Sequence, residues 1–367
     1  MRKDTSVCEF RVQTKTNDRI SVELISIIDE QRLPVELQLE PNIANYLGRR
    51  FSPTFHGIVG YSVFREKEPL ATRFEDLLDF TGGFSLIDDF WIKRTSDRKK
   101  SWNESNLFNN DISGEISELA FSGEGAHEIT GFTRSPEFTT DGNVKKAWRR
   151  IDGKTYLYKA GLPWKGPLAS EHYSEYYAAQ VAEFLDLNYV KYDLKMWMGE
   201  LCSVCELFTS EDISYISARS ISLDTGGFIQ NLDRDSGLYQ QLADMILFDA
   251  LTVNIRHLGN FGFVQDNNTQ GITGLAPIFD NGMALLGDLS DSDLKNPACK
   301  SVFFFLGERM YARVKPETIR SLLSQRQLDL AKRMTEFRFK RHSEFNLSES
   351  RLELLESLIR SRALFLM

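Results

Sequence analysis

The sequence predicts an α+β fold in two lobes, the first β-rich and the second helical, preceded by a further β-rich subdomain. Three observations predict it. Strand-length apolar segments punctuated by Pro34, Pro41 and Pro53 dominate residues 7–64. Strand-like runs return at Lys154–Lys159, Val190–Trp197 and Leu201–Phe208, around a single helical stretch. Beyond Asp212 the apolar residues recur at helical spacing instead. The expected division is residues 1–82 for the leading subdomain, 83–209 for a collar and the β-rich lobe, and 210–367 for the helical lobe.

In the leading subdomain, strands are expected at Val7–Gln13, Ile20–Ile28, Leu33–Leu39 and Gly57–Phe64. The period-2 stretch from Ser21 to Ile25 fits a half-buried strand. A helix near Glu75–Asp79 ends at Gly82-Gly83, and no catalytic constellation is visible in this region. From Gly83 to Asp111, Asp and Asn turn signals alternate with aromatic residues, which predicts a collar packed on another unit. Between Ser135 and Trp148, two β-segments are expected around tight turns, with Asp-Gly at 141–142 and again at 152–153. A helix over Leu168–Leu187 keeps Tyr177, Val181, Phe184 and Leu185 on one face. Helices follow at Gly237–Leu251, Pro316–Lys332 and Leu352–Leu366, the last opened by a Ser350-x-x-Glu353 capping signature.

At 367 residues the chain is long enough for two lobes with substantial cores. A net charge of −8 argues against direct nucleic-acid binding or attachment to an anionic membrane. No apolar run reaches bilayer-spanning length, and the opening MRKDTSVCEF has no apolar signal core, so a cytoplasmic location is expected. Cys202 and Cys205 form a lone CxxC inside an apolar strand-like run, which reads as buried packing rather than as a metal site.

The chemistry-bearing residues lie at the ends of these segments. Asn260 follows a helical apolar run, and Asp280 comes twenty residues later, just past Ile278 and Phe279. An Asn and an Asp so placed can share a divalent cation that carries nucleotide phosphates. Lys159 ends a strand beyond the turn-rich 135–146 segment, where it can meet phosphates or simply snorkel from a surface hairpin. Glu175 lies sixteen residues on, in the first half of a helix, where it can pair with that lysine or be solvated.

In their order, these pieces resemble the HipA-like serine/threonine protein kinases. The resemblance rests on Leu86-Ile87-Asp88-Asp89-Phe90-Trp91, on the order of Lys159, Glu175 and the connector Glu206–Phe208, on Arg256-His257-Leu258-Gly259-Asn260-Phe261-Gly262, and on Ala276 to Gly282. It implies a bilobal protein-kinase-like fold that binds ATP and Mg²⁺. Lys159 would be the nucleotide lysine and Glu175 its partner, with Arg256 and His257 in the catalytic loop. Asn260 and Asp280 would hold the metal. Thr139, Thr140, Gly142, Lys145 and Lys159 would contact phosphates, and Glu206, Leu207 and Phe208 would hold the adenine. Ser135, Thr139 or Thr140 would be sites of self-phosphorylation. A protein substrate and a small DNA-binding, antitoxin-like partner are also implied.

The chain departs from the family at the catalytic aspartate, where the residue before Arg256-His257 is Ile255. Either Ile255 replaces the aspartate or one residue has been lost after it. In both cases no carboxylate stands where one would orient the substrate hydroxyl and accept its proton. A pseudokinase that binds nucleotide or scaffolds partners is therefore the alternative to an active transferase.

Overall fold

A four-stranded antiparallel sheet, in the order β3-β4-β6-β5, organises the middle of the chain: β3 is Lys146–Ile151, β4 Lys154–Lys159, β5 Tyr192–Trp197 and β6 Glu200–Glu206. The computed structural model describes residues 1–14, 20–51, 70–122, 134–140, 144–161, 170–223, 225–254, 260–287, 289 and 316–367. Asp152-Gly153 makes the β3–β4 turn as expected, both residues taking positive φ, 50° and 77°.

Side-chain alternation gives the sheet two different faces. Tyr158, Ala147, Cys202 and Val204 form one buried cluster with Phe121 from a helix at Gly114–Ser122. On the other face Lys159 pairs in register with Ser203, and Tyr192 with Cys205. Against that face lies the helix Glu171–Phe184, whose Glu175 reaches Ser203. Cys202 and Cys205 thus fall on opposite faces of one strand and are both free thiols, in keeping with a packing role.

The helical half is centred on Gly237–Thr252, capped by Ser236, whose hydroxyl accepts from the Tyr239 N–H at 3.2 Å. Leu242, Met245, Ile246, Leu247, Phe248 and Leu251 are all buried, so this helix is apolar around most of its circumference. The C-terminal helix Glu349–Leu366 joins the same core through Leu352, Leu355, Ile359 and Ala363. A small antiparallel sheet of β7 (Ile213–Ser217), β8 (Gly262–Asp266) and β9 (Ile272–Leu275) adjoins it. At the start of β8 only glycine fits, because a Cβ on Gly262 would stand 2.2 Å from the Ile216 carbonyl oxygen.

In the leading region β1 (Cys8–Thr14) and β2 (Ile20–Ile27) form a hairpin beside helices at Val35–Leu39, Ile43–Arg50 and Leu70–Thr81. Arg50 ties this region to the collar. Its guanidinium bonds both Asp88 oxygens, at 2.7 and 2.9 Å, and donates to the Gly83 and Phe90 carbonyls, each at 2.6 Å. The collar itself packs Phe84, Leu86, Trp91, Trp102 and Leu107, and the Trp102 indole donates to Glu211 at 2.6 Å.

Four expectations require correction. Leu33–Leu39 is not a strand: Pro34 precedes a short helix and its carbonyl accepts from Leu37 and Gln38, a run too short for its apolar spacing to separate the two periods. Residues 136–139 form a 3₁₀ turn instead of a β-segment, with Ser135 bonding the Glu137 N–H. Pro316–Lys332 is two helices, Pro316–Leu322 and Gln325–Arg333, because Ser324 and Gln327 form a reciprocal capping box. The last helix is capped by Ser348 rather than Ser350 and begins at Glu349. The strand expected at Gly57–Phe64 lies outside the described residues.

Candidate active site

Lys159, Glu175, Asn260 and Asp280, four residues spread over 121 positions, converge. The Lys159 ammonium stands 2.5 Å from one Glu175 oxygen and also bonds Asp280 Oδ1. Asn260 donates from its carboxamide to Asp280 Oδ2 at 2.6 Å. Ser203, one rung across the sheet from Lys159, donates its hydroxyl to the second Glu175 oxygen at 2.7 Å. The sheet supplies the cation, the helix behind it one carboxylate, and the segments flanking the small sheet supply Asn260 and Asp280.

Burial makes this cluster electrostatically demanding. Glu175 is 1% exposed, and desolvation pushes its carboxyl up against the opposing pull of Lys159. Desolvation also works against the Lys159 ammonium, but the Asp280 and Glu175 carboxylates outweigh it and hold its pKa well above the ordinary lysine range. The lysine therefore stays charged, with two anions competing for it. Glu175 is fully enclosed, whereas the Asp280 side chain keeps 39% exposure and opens outward.

Asp280 also has φ = 57°, a left-handed conformation that costs a non-glycine residue on the order of 1 kcal/mol. Its backbone N–H donates to the Tyr192 hydroxyl at 3.1 Å. Two strand-like contacts place it: Ile278 N–H donates to the Asn188 carbonyl at 2.9 Å, and Val190 N–H to the Ile278 carbonyl at 3.0 Å. On the other side of the pair, the Tyr215 hydroxyl donates to the Asn260 carbonyl at 3.0 Å. The helix Gly237–Thr252 ends on Val253 at φ = 56°, and Asn254 follows with its carboxamide donating to Asn281 at 3.0 Å.

A magnesium ion fits what Asn260 and Asp280 offer. Among the described residues, no group of three or more His, Cys, Asp or Glu is placed to hold a metal, so a cation here needs waters and phosphate oxygens to complete its shell. Mg²⁺ binds in that way, through one or two carboxylates with retained waters and substrate phosphates.

The other expected site residues divide. Thr139 donates to the Phe84 and Pro136 carbonyls; Thr140 donates to Pro136 and accepts from the Trp148 indole at 2.9 Å. Ser135 is 4% exposed. These hydroxyls brace the 3₁₀ turn and are occupied by the protein itself. Lys145 bonds Glu200 at 2.5 Å, three residues along β6 from Ser203, and so faces a different partner from Lys159. Glu206, Leu207 and Phe208 lie at the end of β6 and in the segment that leads to β7. Glu206 is held by Lys154 at 2.9 Å, and Leu207 N–H already donates to the Thr155 carbonyl at 2.9 Å, which closes that donor to a nucleobase. Phe208 packs with Tyr215 and Phe279, its ring centroid 5.8 and 5.2 Å from theirs. Gly142, Ile255, Arg256 and His257 lie outside the described residues.

No protein-family model and no curated protein matches the chain. Among solved structures, a Helicobacter pylori proinflammatory kinase, CtkA, matches 59% of this chain and 89% of its own, with 19% identity and a TM-score of 0.42. A chain of the Shewanella oneidensis MR-1 toxin–antitoxin complex of HipA, HipB and operator DNA matches 99% of this chain and 96% of its own, with 13% identity and a TM-score of 0.45.

Sequence reasoning missed Ser203, Tyr192 and Tyr215. Ser203 lies inside the apolar strand that carries the CxxC, and only its register opposite Lys159 brings its hydroxyl to Glu175. The two tyrosines act on backbone groups 88 and 45 residues away, a relation that no local spacing encodes.

Proposed function

We propose that the chain is a HipA-like, nucleotide-binding kinase module of the cytoplasm that takes ATP with Mg²⁺ and directs the γ-phosphate toward a protein hydroxyl. The observation that carries this reading is the bridge of Lys159 between Glu175 and Asp280, with Asn260 on the far oxygen of Asp280. Glu175, itself held by Ser203, fixes the lysine from behind, and Asp280 meets it on the open side of the cluster, where phosphates would lie. When bound, Mg²⁺ supplies charge neutralisation at the β- and γ-phosphate oxygens. Asn260 and Asp280 are the residues that would hold it. In the transfer, a substrate hydroxyl oxygen forms a bond to the γ-phosphorus as the bond to the ADP oxygen breaks, and the hydroxyl proton must leave to a base.

That last requirement favours a second reading, a pseudokinase that binds nucleotide without transferring phosphate. In the sequence no carboxylate directly precedes Arg256-His257, whether Ile255 replaces it or a residue has been lost after Ile255, and Asp249, on the preceding helix, is 3% exposed within the core. Incubation with Mg²⁺ and γ-labelled ATP, with a generic protein substrate present, separates the two. Incorporated label identifies a transferase; saturable ATP binding without label identifies a pseudokinase. Inserting Asp between Ile255 and Arg256 should then create or raise transfer, and unchanged activity would refute the one-residue deletion as its cause. We further propose that residues 1–82 and the collar from residue 83 form the partner-binding part, and that a small DNA-binding protein is the partner. The net charge of −8 favours a protein partner over direct contact with DNA.

A further inference from the structure

The two candidate metal residues share an unusual support. Each has its backbone, rather than its side chain, held by a tyrosine hydroxyl from the opposite side of the site. Tyr192, on the edge strand of the four-stranded sheet, accepts the Asp280 N–H at 3.1 Å. Tyr215, on β7, donates to the Asn260 carbonyl at 3.0 Å. The two hydroxyls come from different sheets.

We infer that Tyr192 and Tyr215 are positioning residues of the cation site, jointly setting the separation and direction of the Asn260 and Asp280 side chains. This rests on the nucleotide–metal reading above. Asp280 has the greater need of support, because its left-handed backbone is intrinsically unfavourable and the chain has no glycine there to relieve it. Removing the Tyr192 hydroxyl leaves the Asp280 N–H without its acceptor, and the simplest relief is rotation of the Asp280 backbone, which swings the carboxylate away from Asn260. Tyr215 has a second attachment. Its ring packs edge-on against Phe208 of the connector and Phe279 beside Asp280, with centroids 5.8 and 5.4 Å away. The Asn260 end of the site is thereby linked to Phe208, in the segment between β6 and β7.

The test uses the full chain with Mn²⁺ as probe, its uptake measured by the electron paramagnetic resonance signal of the free ion, with and without ADP. Tyr192→Phe and Tyr215→Phe should each weaken Mn²⁺ binding to the ADP-loaded protein by about three- to tenfold, the net worth of one hydrogen bond. ADP affinity in EDTA should stay within about twofold. Tyr239→Phe is the control: it deletes a comparable buried hydroxyl contact, to the Leu322 carbonyl at 3.1 Å, and should leave Mn²⁺ affinity unchanged. If both site variants bind Mn²⁺ as tightly as the wild type, the positioning role is refuted and the nucleotide–metal reading stands. Equal losses of metal-free ADP and of Mn²⁺ affinity would refute it too, by showing a general structural role. A wild-type chain that takes up no Mn²⁺ in either condition overturns the cation site and this inference with it.

Discussion

Glu175 and Asp280 both hold Lys159, yet their burial predicts that they serve different ends. Glu175→Gln removes a 1%-exposed carboxylate that receives the ammonium at 2.5 Å and the Ser203 hydroxyl at 2.7 Å. Removing one charge from a buried pair costs about 3–5 kcal/mol. Here Asp280 remains to neutralise the lysine and glutamine can still bond Ser203, so the expected loss is about 2–3 kcal/mol. Asp280→Asn removes a carboxylate that is 39% exposed, and solvent screening limits that loss to about 0–1 kcal/mol. Urea unfolding at pH 7 in EDTA measures both, as a shift of midpoint at constant slope. In Mg²⁺ and ATP the ranking should reverse, with Asp280→Asn losing the part of the ligand-induced stabilisation that Mg²⁺ adds. Equal losses for the two variants in EDTA, or a larger loss for Asp280→Asn, would refute the assignment of Glu175 as the buried anchor.

Three further predictions follow from burial elsewhere. Glu137 is pushed up to about 8 by desolvation, although its carboxylate accepts the Trp148 N–H at 2.7 Å, so the native state keeps a proton that the unfolded chain releases above its ordinary value of 4.5. Stability should therefore fall as pH rises from about 4.5 to 8, by up to about 1.4 kcal/mol per unit, and Glu137→Gln should flatten that slope in thermal melts. His172 is pulled down to about 4 by burial, so the unfolded state binds the proton first and stability should drop as pH falls from 6.5 to 4. His172→Phe should remove that component of the acid limb. Arg50→Met leaves the Asp88 carboxylate and the Gly83 and Phe90 carbonyls without their shared donor, and should cost about 3–5 kcal/mol in denaturant unfolding.

The site was more legible in the sequence than the scaffold. Segment spacing alone left Lys159 and Glu175 open to a solvated role; it was the resemblance to HipA-like kinases that grouped them with Asn260 and Asp280, and the structure brings all four together. The three-stranded sheet was not legible, because β7, β8 and β9 are only five, five and four residues long and carry Gly262, Gln265 and Gly274 among their apolar positions. Periodicity also ran Pro316 to Lys332 into one helix, since apolar spacing continues through a capping serine without showing the break. The threonines expected to meet phosphate were hard to read for a different reason. A hydroxyl in a turn looks alike whether it awaits a ligand or closes the turn, and Thr139 and Thr140 do the latter.

Binding of ATP by the full chain, measured by titration calorimetry with and without Mg²⁺ for the wild type and Asp280→Asn, tests the central claim most directly. The account predicts saturable binding to the wild type, strengthened by Mg²⁺, with the Mg²⁺ enhancement lost in Asp280→Asn. It predicts a matching stabilisation of about 2.7 kcal/mol at a hundredfold excess of ligand over Kd. A wild-type chain that shows no heat and no thermal shift with ATP and Mg²⁺, or an Asp280→Asn variant that keeps the full Mg²⁺ enhancement, would contradict it.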